Sequence, residues 1–409
     1  MVGIIGGGAA GIMAAITAAK MGEKVVIFEK NEKTCKKVYI TGKGRCNLTN
    51  VAEGERFFAN VISNPRFMMS SNNAFSCVDV MNFFRDECNV PLKVEHGGRV
   101  FPVSDKSADI TDALRGALAK YKVKVYLNFP VEKIERDEKG RFDVIGPKKV
   151  TVDKLIIATG GITYPLTGST GDGYKFAKDF GHSIINPVAG LIGIKCNSPS
   201  DLAGLSLKNV KVSACLGEKK LFEEFGEMLF THTGVSGPCV LTLSSKINRK
   251  NLPELSIKID LKPALEESVL DARLLREFST NPNKSIVNVM FALMPKSLAS
   301  VVVEKAEIPL EKVVNSITKT ERQRLVKTMK NLTFSIKGLE DIKGAIITAG
   351  GVSVKEVNPK TMESRIIKNL YFAGEVLDVD ALTGGFNLQI AFSTGYVAGL
   401  SASEGGNYV

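Results

Sequence analysis

Residues 2–29 read VGIIGGGAAGIMAAITAAKMGEKVVIFE. An apolar run, a glycine cluster, an alanine-rich segment and a second apolar run ending in an acid give the order strand, tight turn, helix, strand. Gly6, Gly8 and Gly11 stand at the first turn in the spacing G-x-G-x-x-G. Each glycine has a physical reason to be there. Gly6 lets the chain turn out of the strand, Gly8 lets the backbone approach a pyrophosphate, and Gly11 lets the helix pack closely on the sheet. Ala9 and Ala10 open the helix, whose free N–H groups and positive dipole end face the phosphates. Glu29 closes the second strand eighteen residues after Gly11, where a ribose hydroxyl needs an acceptor. A lone G-x-G-x-x-G is weak evidence; its strand, helix and acid in the right order are what point to a dinucleotide. The stretch does not read as a membrane or export segment, because glycines weaken a spanning helix and Lys20, Glu23 and Lys24 follow at once.

With 409 residues the chain can hold a sizeable core and two or three domains. Seven cysteines without a C-x-x-C pair fit a reducing cytoplasm rather than a disulfide scaffold. No metal is expected, since His96, His182 and His232 are far apart and never join cysteine at ligand spacing. The net charge is +11, but the basic residues are spread along the chain among 43 acids, and no basic run is interleaved with aromatic residues. Neither nucleic acid nor membrane is therefore expected as a partner. An anionic cofactor and a small-molecule substrate use some of the charge, and the oligomeric state stays open.

After Glu29 runs a polar loop, KNEKTCKKVYITGKGRCNLTN, which holds Lys30, Lys37, Thr41, Gly42, Gly44, Arg45, Cys46 and Asn47. So long and polar a loop directly after a ribose-binding strand is uncommon unless it is functional. The segment 153–165, DKLIIATGGITYP, is a buried-strand pattern ending in Ala158, Thr159 and Gly160, at the sheet edge where open α/β folds bind cofactors. Near the end of the chain a short strand runs into Gly374 and Glu375, with Asp378 close behind. Gly384, Gly385, Phe386, Asn387, Leu388 and Gln389 then open a last helix. Between these parts, 191–262 alternates in short apolar segments with glycine turns, and 263–337 reads as helices separated by proline breaks. Ser236 in FTHTGVSGP (230–238) lacks the spacing of a serine-hydrolase elbow.

The first βαβ unit, Gly44-Arg45-Cys46-Asn47, GGRVFP (97–102), ATGG (158–161), FTHTGVSGP and AGE…TGGFNLQ occur in an order that resembles the aminoacetone oxidase family of FAD-binding enzymes, which includes bile-acid-inducible flavin enzymes that reduce 3-oxo steroid enones. The resemblance implies an α/β fold: a discontinuous FAD-binding Rossmann-like domain, 1–190 and 338–409, interrupted by a β-rich, barrel-like insertion (191–262) and a helical insertion (263–337). It implies FAD as cofactor, NADH or NADPH as electron donor, and reduction of an activated C=C bond. An amine oxidase using oxygen and a non-catalytic flavin-binding protein are the alternatives. The resemblance also implies that Val131 meets the adenine through its backbone and that Gly384 to Gln389 face the flavin pyrimidine. Glu375 stands where the usual pattern has Asp, so whether it or Asp378 takes the ribityl contact stays open. Arg45 is a candidate for polarising a substrate carbonyl, and His232 is a candidate proton donor. Flavin disulfide reductases place a second cysteine five residues after the first; Val51 stands there, so dithiol chemistry at Cys46 is not expected.

Overall fold

A computed structural model describes residues 1–403 and divides the chain into two compact units, Met1–Gly190 with Ile342 onward, and Leu191–Asp341. In the first unit a five-stranded parallel sheet has the order Leu370–Phe372, Lys154–Ile157, Val2–Ile5, Val25–Phe28, Lys124–Tyr126. The inner strands VGII and VVIF are buried at every position, as a parallel sheet covered on both faces requires. The segments 2–5, 154–157 and 370–372 are far apart in sequence and adjacent in space, so the chain's end completes the sheet its beginning started.

The first helix, Ala9–Lys20, and the last, Phe386–Ser401, pack against each other almost backbone to backbone. A Cβ on Gly395 would lie 2.3 Å from the carbonyl oxygen of Ala10, and one on Gly399 would lie 2.3 Å from that of Ala14. Because 10 and 14 oppose 395 and 399 in the same order, the two helices run in parallel. Phe386 is nine residues before Gly395, so the last helix begins about 13 Å beyond the level of Ala10, on the side of the first helix's N-terminus.

Smaller sheets flank this core. Lys133–Arg136, Phe142–Ile145 and Lys149–Val152 form one antiparallel sheet, and Thr49–Asn50, Arg99–Pro102 and Leu92–Glu95 form another. Val131, implied as an adenine contact, lies two residues before the strand that begins at Lys133. Pro130 has no amide hydrogen, and residues 128–129 already bond to the carbonyls of Asn31 and Glu29.

In the second unit, Ile194–Cys196, Gly234–Ser236, Lys219–Phe230, Ser206–Leu216, Leu255–Asp260 and Leu332–Leu339 close a six-stranded barrel. This corrects the division into a β-rich and a helical insertion. Residues 332–339, expected to lie mostly within the helical part, are a barrel strand with Leu332, Phe334 and Ile336 turned inward at period two. The helices Glu267–Thr280, Lys296–Lys305 and Lys319–Lys330 share that core, so 191–341 is one body with a single hydrophobic centre. Among the described residues no helix is long and apolar enough to cross a membrane, and no group of side chains could hold a metal ion.

One buried polar network ties the first unit together behind the sheet. The His182 ring lies edge-on to Phe372, with Nε2 2.8 Å from Ser364 Oγ and Nδ1 3.4 Å from Glu356. Ser364 Oγ accepts the amides of Ile366 and Ile367, so its own hydrogen points at Nε2 and favours the neutral imidazole. Burial lowers the proton affinity of His182, and Glu356 only partly opposes this.

Two outcomes follow for stability. Gly395→Ala should lower the melting temperature, because overpacking at about 1–3 kcal/mol exceeds the gain of about 1 kcal/mol that alanine gives a helix. Gly116→Ala, in the helix Ser107–Lys120 where a Cβ meets nothing within 4 Å, should raise it. For His182 the folded-state pKa lies below the unfolded value, so its contribution is present above pH ~6.5 and declines as the pH falls below that. Melting curves recorded downward from neutral pH should show this decline, and His182→Asn should lose that part of the pH dependence.

Candidate functional site

The glycine turn leaves a cradle at the carboxyl end of the parallel sheet. Gly6 has φ +106°, and a Cβ there would sit 2.4 Å from the Ala158 carbonyl oxygen; on Gly11 it would sit 2.0 Å from that of Gly6. A Cβ on Gly8, by contrast, would meet nothing within 4 Å. Gly8 caps the first helix without a side-chain hydrogen bond, and the helix has no acid in its first turn, so its N-terminal amides face that open space undisturbed. Gly374, at φ +77°, would place a Cβ 2.7 Å from Cβ of Ala10. The glycine turn, Ala158 and Gly374 thus meet at one place, and Gly160, at φ +74°, would place a Cβ 3.1 Å from Ser169 Oγ.

Glu29 is buried beside this cradle. Its Oε2 accepts the amide of Gly7 at 2.8 Å, and its Oε1 accepts the amide and side chain of Asn31 at 2.9 and 2.6 Å. The amides of Asn128 and Phe129 bond to the Asn31 and Glu29 carbonyls, which puts Val131 just past the same end. Lys30 donates to Asp172 at 2.6 Å and to Thr170.

The loop after Glu29 docks on the N-terminus of the last helix. Asn50 Nδ2 donates to the Gly384 carbonyl at 3.0 Å, Thr49 bonds to Gln389, and a Cβ on Gly385 would lie 2.9 Å from Asn47 Oδ1. Four of the five residues from Gly42 to Cys46 have left-handed backbone, Lys43 and Cys46 among them. Non-glycine residues avoid that region at about 1–2 kcal/mol each, so the turn is held by something. Arg45 is the brace: it pairs with Glu95 and Asp105 and lies 4.2 Å over the Phe101 ring. Those two carboxylates raise the guanidinium's proton affinity further, and the arginine in turn lowers theirs. Arg45 is therefore engaged with the protein rather than extended toward a ligand. Thr41 closes the turn through its carbonyl, which accepts the Cys46 amide at 3.1 Å. Cys46 itself is fully buried, and burial pushes its thiol up to about 12, which removes thiolate chemistry at neutral pH.

A second cluster joins the loop to the strand ends. Lys37 donates to Glu375 at 2.6 Å and to Thr163 at 2.8 Å, and Glu375 also accepts the amide of Thr348 at 2.8 Å. Asp378 is turned the other way, its carbonyl and carboxylate accepting from Asn64. Two side chains expected at the cofactor are occupied elsewhere. Asn387 bonds to the backbone of Ala381 and Leu382; Gln389, fully buried, bonds to Phe75 and Ser393 as well as Thr49. Phe386 is buried, and with Leu388 it leaves backbone rather than polar side chains at this helix end. His232 stands on an exposed turn between two barrel strands of the second unit, and its ring has no hydrogen-bond partner among the described residues.

Sequence reasoning gave no site role to Thr163, Thr348, Glu95 and Phe101, because their partners Lys37, Glu375 and Arg45 are distant in the chain. The residues present fit a flavin dinucleotide: the space above Gly8 suits a pyrophosphate, and Asn47 Oδ1, beside Gly385 at the start of the last helix, is buried with no hydrogen-bond partner among the described residues.

Comparison with known proteins agrees. The family model described as HI0933-like protein Rossmann domain matches residues 1–401. A Clostridium scindens protein named 3-dehydro-bile acid delta(4,6)-reductase is 33% identical over 98% of this chain and 99% of its own length. A Haemophilus influenzae protein named ribosomal RNA dihydrouridine synthase is also 33% identical, over 98% of each chain, and its Escherichia coli namesake is 31% identical. Among solved structures, the 3-ketosteroid-delta4-(5alpha)-dehydrogenase of Rhodococcus jostii RHA1 shares the fold at a TM-score of 0.50 and 14% identity, over 98% of this chain and 96% of that one. Matches of this extent place the chain in the HI0933-like family.

Gly8→Val should leave the melting temperature of the flavin-free protein nearly unchanged while weakening FAD binding at least about tenfold, about 1.4 kcal/mol. Titration with FAD followed by flavin fluorescence checks both together with a melting curve.

Proposed function

Because the chain belongs to the HI0933-like family and is an FAD-dependent oxidoreductase, we propose that it reduces a C=C bond conjugated to a carbonyl, with NADH or NADPH as electron donor and in the cytoplasm. The observation that carries this reading is a chemical step shared by relatives of equal identity. A delta(4,6)-reductase and a dihydrouridine synthase, by their names, each add two hydrogens across such a bond. When bound, FAD supplies the hydride from its reduced ring.

The chain's own groups give that chemistry its setting. The amides above Gly8 take the pyrophosphate charge, and Glu29 keeps acceptor capacity for a ribose hydroxyl beyond its three donors. Lys37 and Glu375 fix each other between loop and strand end, beside the ribityl region, which favours Glu375 over Asp378 as the ribityl neighbour. The N-terminus of the last helix, presented as bare backbone at Gly385 to Leu388, stabilises negative charge on the reduced ring. Arg45 holds the loop that lies against this helix end.

Two substrate classes present the required bond. A free small-molecule enone is the expectation from sequence. A uracil ring within RNA, whose C5=C6 bond is conjugated to C4=O, is the reading favoured by the names of two relatives. An aminoacetone-type amine oxidase is the competing reaction. Anaerobic mixing of the yellow holoprotein with NADH or NADPH should bleach the flavin, and adding an enone or a uridine-containing RNA should restore its colour. A flavin bleached by an amine and restored only by oxygen would overturn the reading.

A further inference from the structure

No stretch of the sequence interleaves basic and aromatic residues, yet the fold assembles such a surface on the first unit, around the loop that meets the last helix. Tyr39, 49% exposed at the end of the short helix Lys36–Ile40, has the Lys33 ammonium 5.8 Å from its ring. Its carbonyl accepts Ser107 Oγ at 2.5 Å, which seats Lys106 alongside. Asp105, next in the chain, pairs with Arg45 and Lys93, and the Phe101 ring lies beneath both Arg45 and Arg99, the latter at 5.9 Å. Lys43, exposed on the left-handed turn two residues before Arg45, has no ion-pair partner among the described residues.

The charges do not cancel. Lys36 with these six other cations faces four carboxylates, Glu32, Glu95, Asp105 and Asp109. Arg45 and Lys93 are neutralised by Glu95 and Asp105, and Arg99 reaches Glu95 only at 3.9 Å. Seven cations less four carboxylates leave a net charge of +3; Lys33, Lys43 and Lys106 have no ion-pair partner among the described residues, and Lys33 lies over the exposed Tyr39 ring. Single strands of nucleic acid are held by this combination, cations tracking the phosphates and an aromatic face accepting a base.

We propose that this surface docks single-stranded RNA and leads one of its bases to the cofactor site. The proposal rests on the uracil reading above. The loop that carries Lys43 continues through Asn47 to Asn50, which bonds to Gly384 at the N-terminus of the last helix, so a strand lying on this surface ends beside the flavin-facing backbone. A free steroid-like enone has no use for the cations.

The test uses FAD-loaded protein and a fluorescent uridine-rich RNA of about a dozen nucleotides, titrated by anisotropy across a salt series. Wild type should bind, and the triple variant K43A/R99A/K106A should bind at least tenfold more weakly at low salt. Its slope of log affinity against log salt should be shallower by about two, since about 0.7 counterion is released per phosphate contact on single strands. The charge-conserving variant K43R/R99K/K106R should bind like wild type, and FAD content and melting temperature should hold in both. Wild-type affinity and slope in the alanine variant, or no RNA binding by wild type, would overturn the surface. Binding that depends on these cations without any dihydrouridine formed by the reduced protein supports the surface and overturns the uracil reading instead.

Discussion

The close approach of the first and last helices is the constraint on which the rest depends. Ala10 and Ala14 face Gly395 and Gly399 with no room for a methyl group, so the segment that ends the chain is locked to the segment that begins it. The parallel direction of the pair gives two helix N-termini on the same side, offset along the axis by about 12 Å. On the proposed reading, one takes a pyrophosphate and the other the far end of the same molecule. A dinucleotide that carries its reactive ring at a distance from its phosphates is what this offset accommodates.

The side chains that reach into the site mostly hold backbone rather than ligand. Glu29 fixes the Gly7 amide and Asn31, Gln389 and Thr49 fix the loop to the last helix, and Asn387 fixes the turn before that helix. Arg45 belongs with them, because both carboxylates and the ring that surround it come from the adjacent antiparallel sheet and the turn that follows it. What is left facing the cofactor is largely amides and glycines, a surface that binds by shape and dipole. Such a site is preorganised without flexible charged side chains, and the cost is a strained turn at Gly42 to Cys46 that the Arg45 network must hold in place.

The parallel sheet and its glycine turn were legible in the sequence because they are local. An apolar run, three glycines at fixed spacing and an acid eighteen residues on are set by one βαβ unit. The ATGG and AGE strand ends were legible for the same reason. The barrel strand Leu332–Leu339 was missed because it follows directly on a helical run with no glycine or proline between them, and its alternation LTFSIKGL is only eight residues long. The engagement of Arg45, Asn387 and Gln389 was hidden because their partners are set by packing. The charged surface was hidden in the same way: Arg45 and Arg99 read as scattered charges until folding brings both to the Phe101 ring.

The central claim is that the flavin held between these two helix ends reduces a C=C bond beside a carbonyl. Mass spectrometry of the products of a single anaerobic turnover tests it most directly, with reduced holoprotein given an enone or a uridine-containing RNA. The account predicts a product that has gained two hydrogens, in amount equal to the flavin oxidised. Unchanged substrate, with flavin oxidised only when oxygen is admitted, would contradict it.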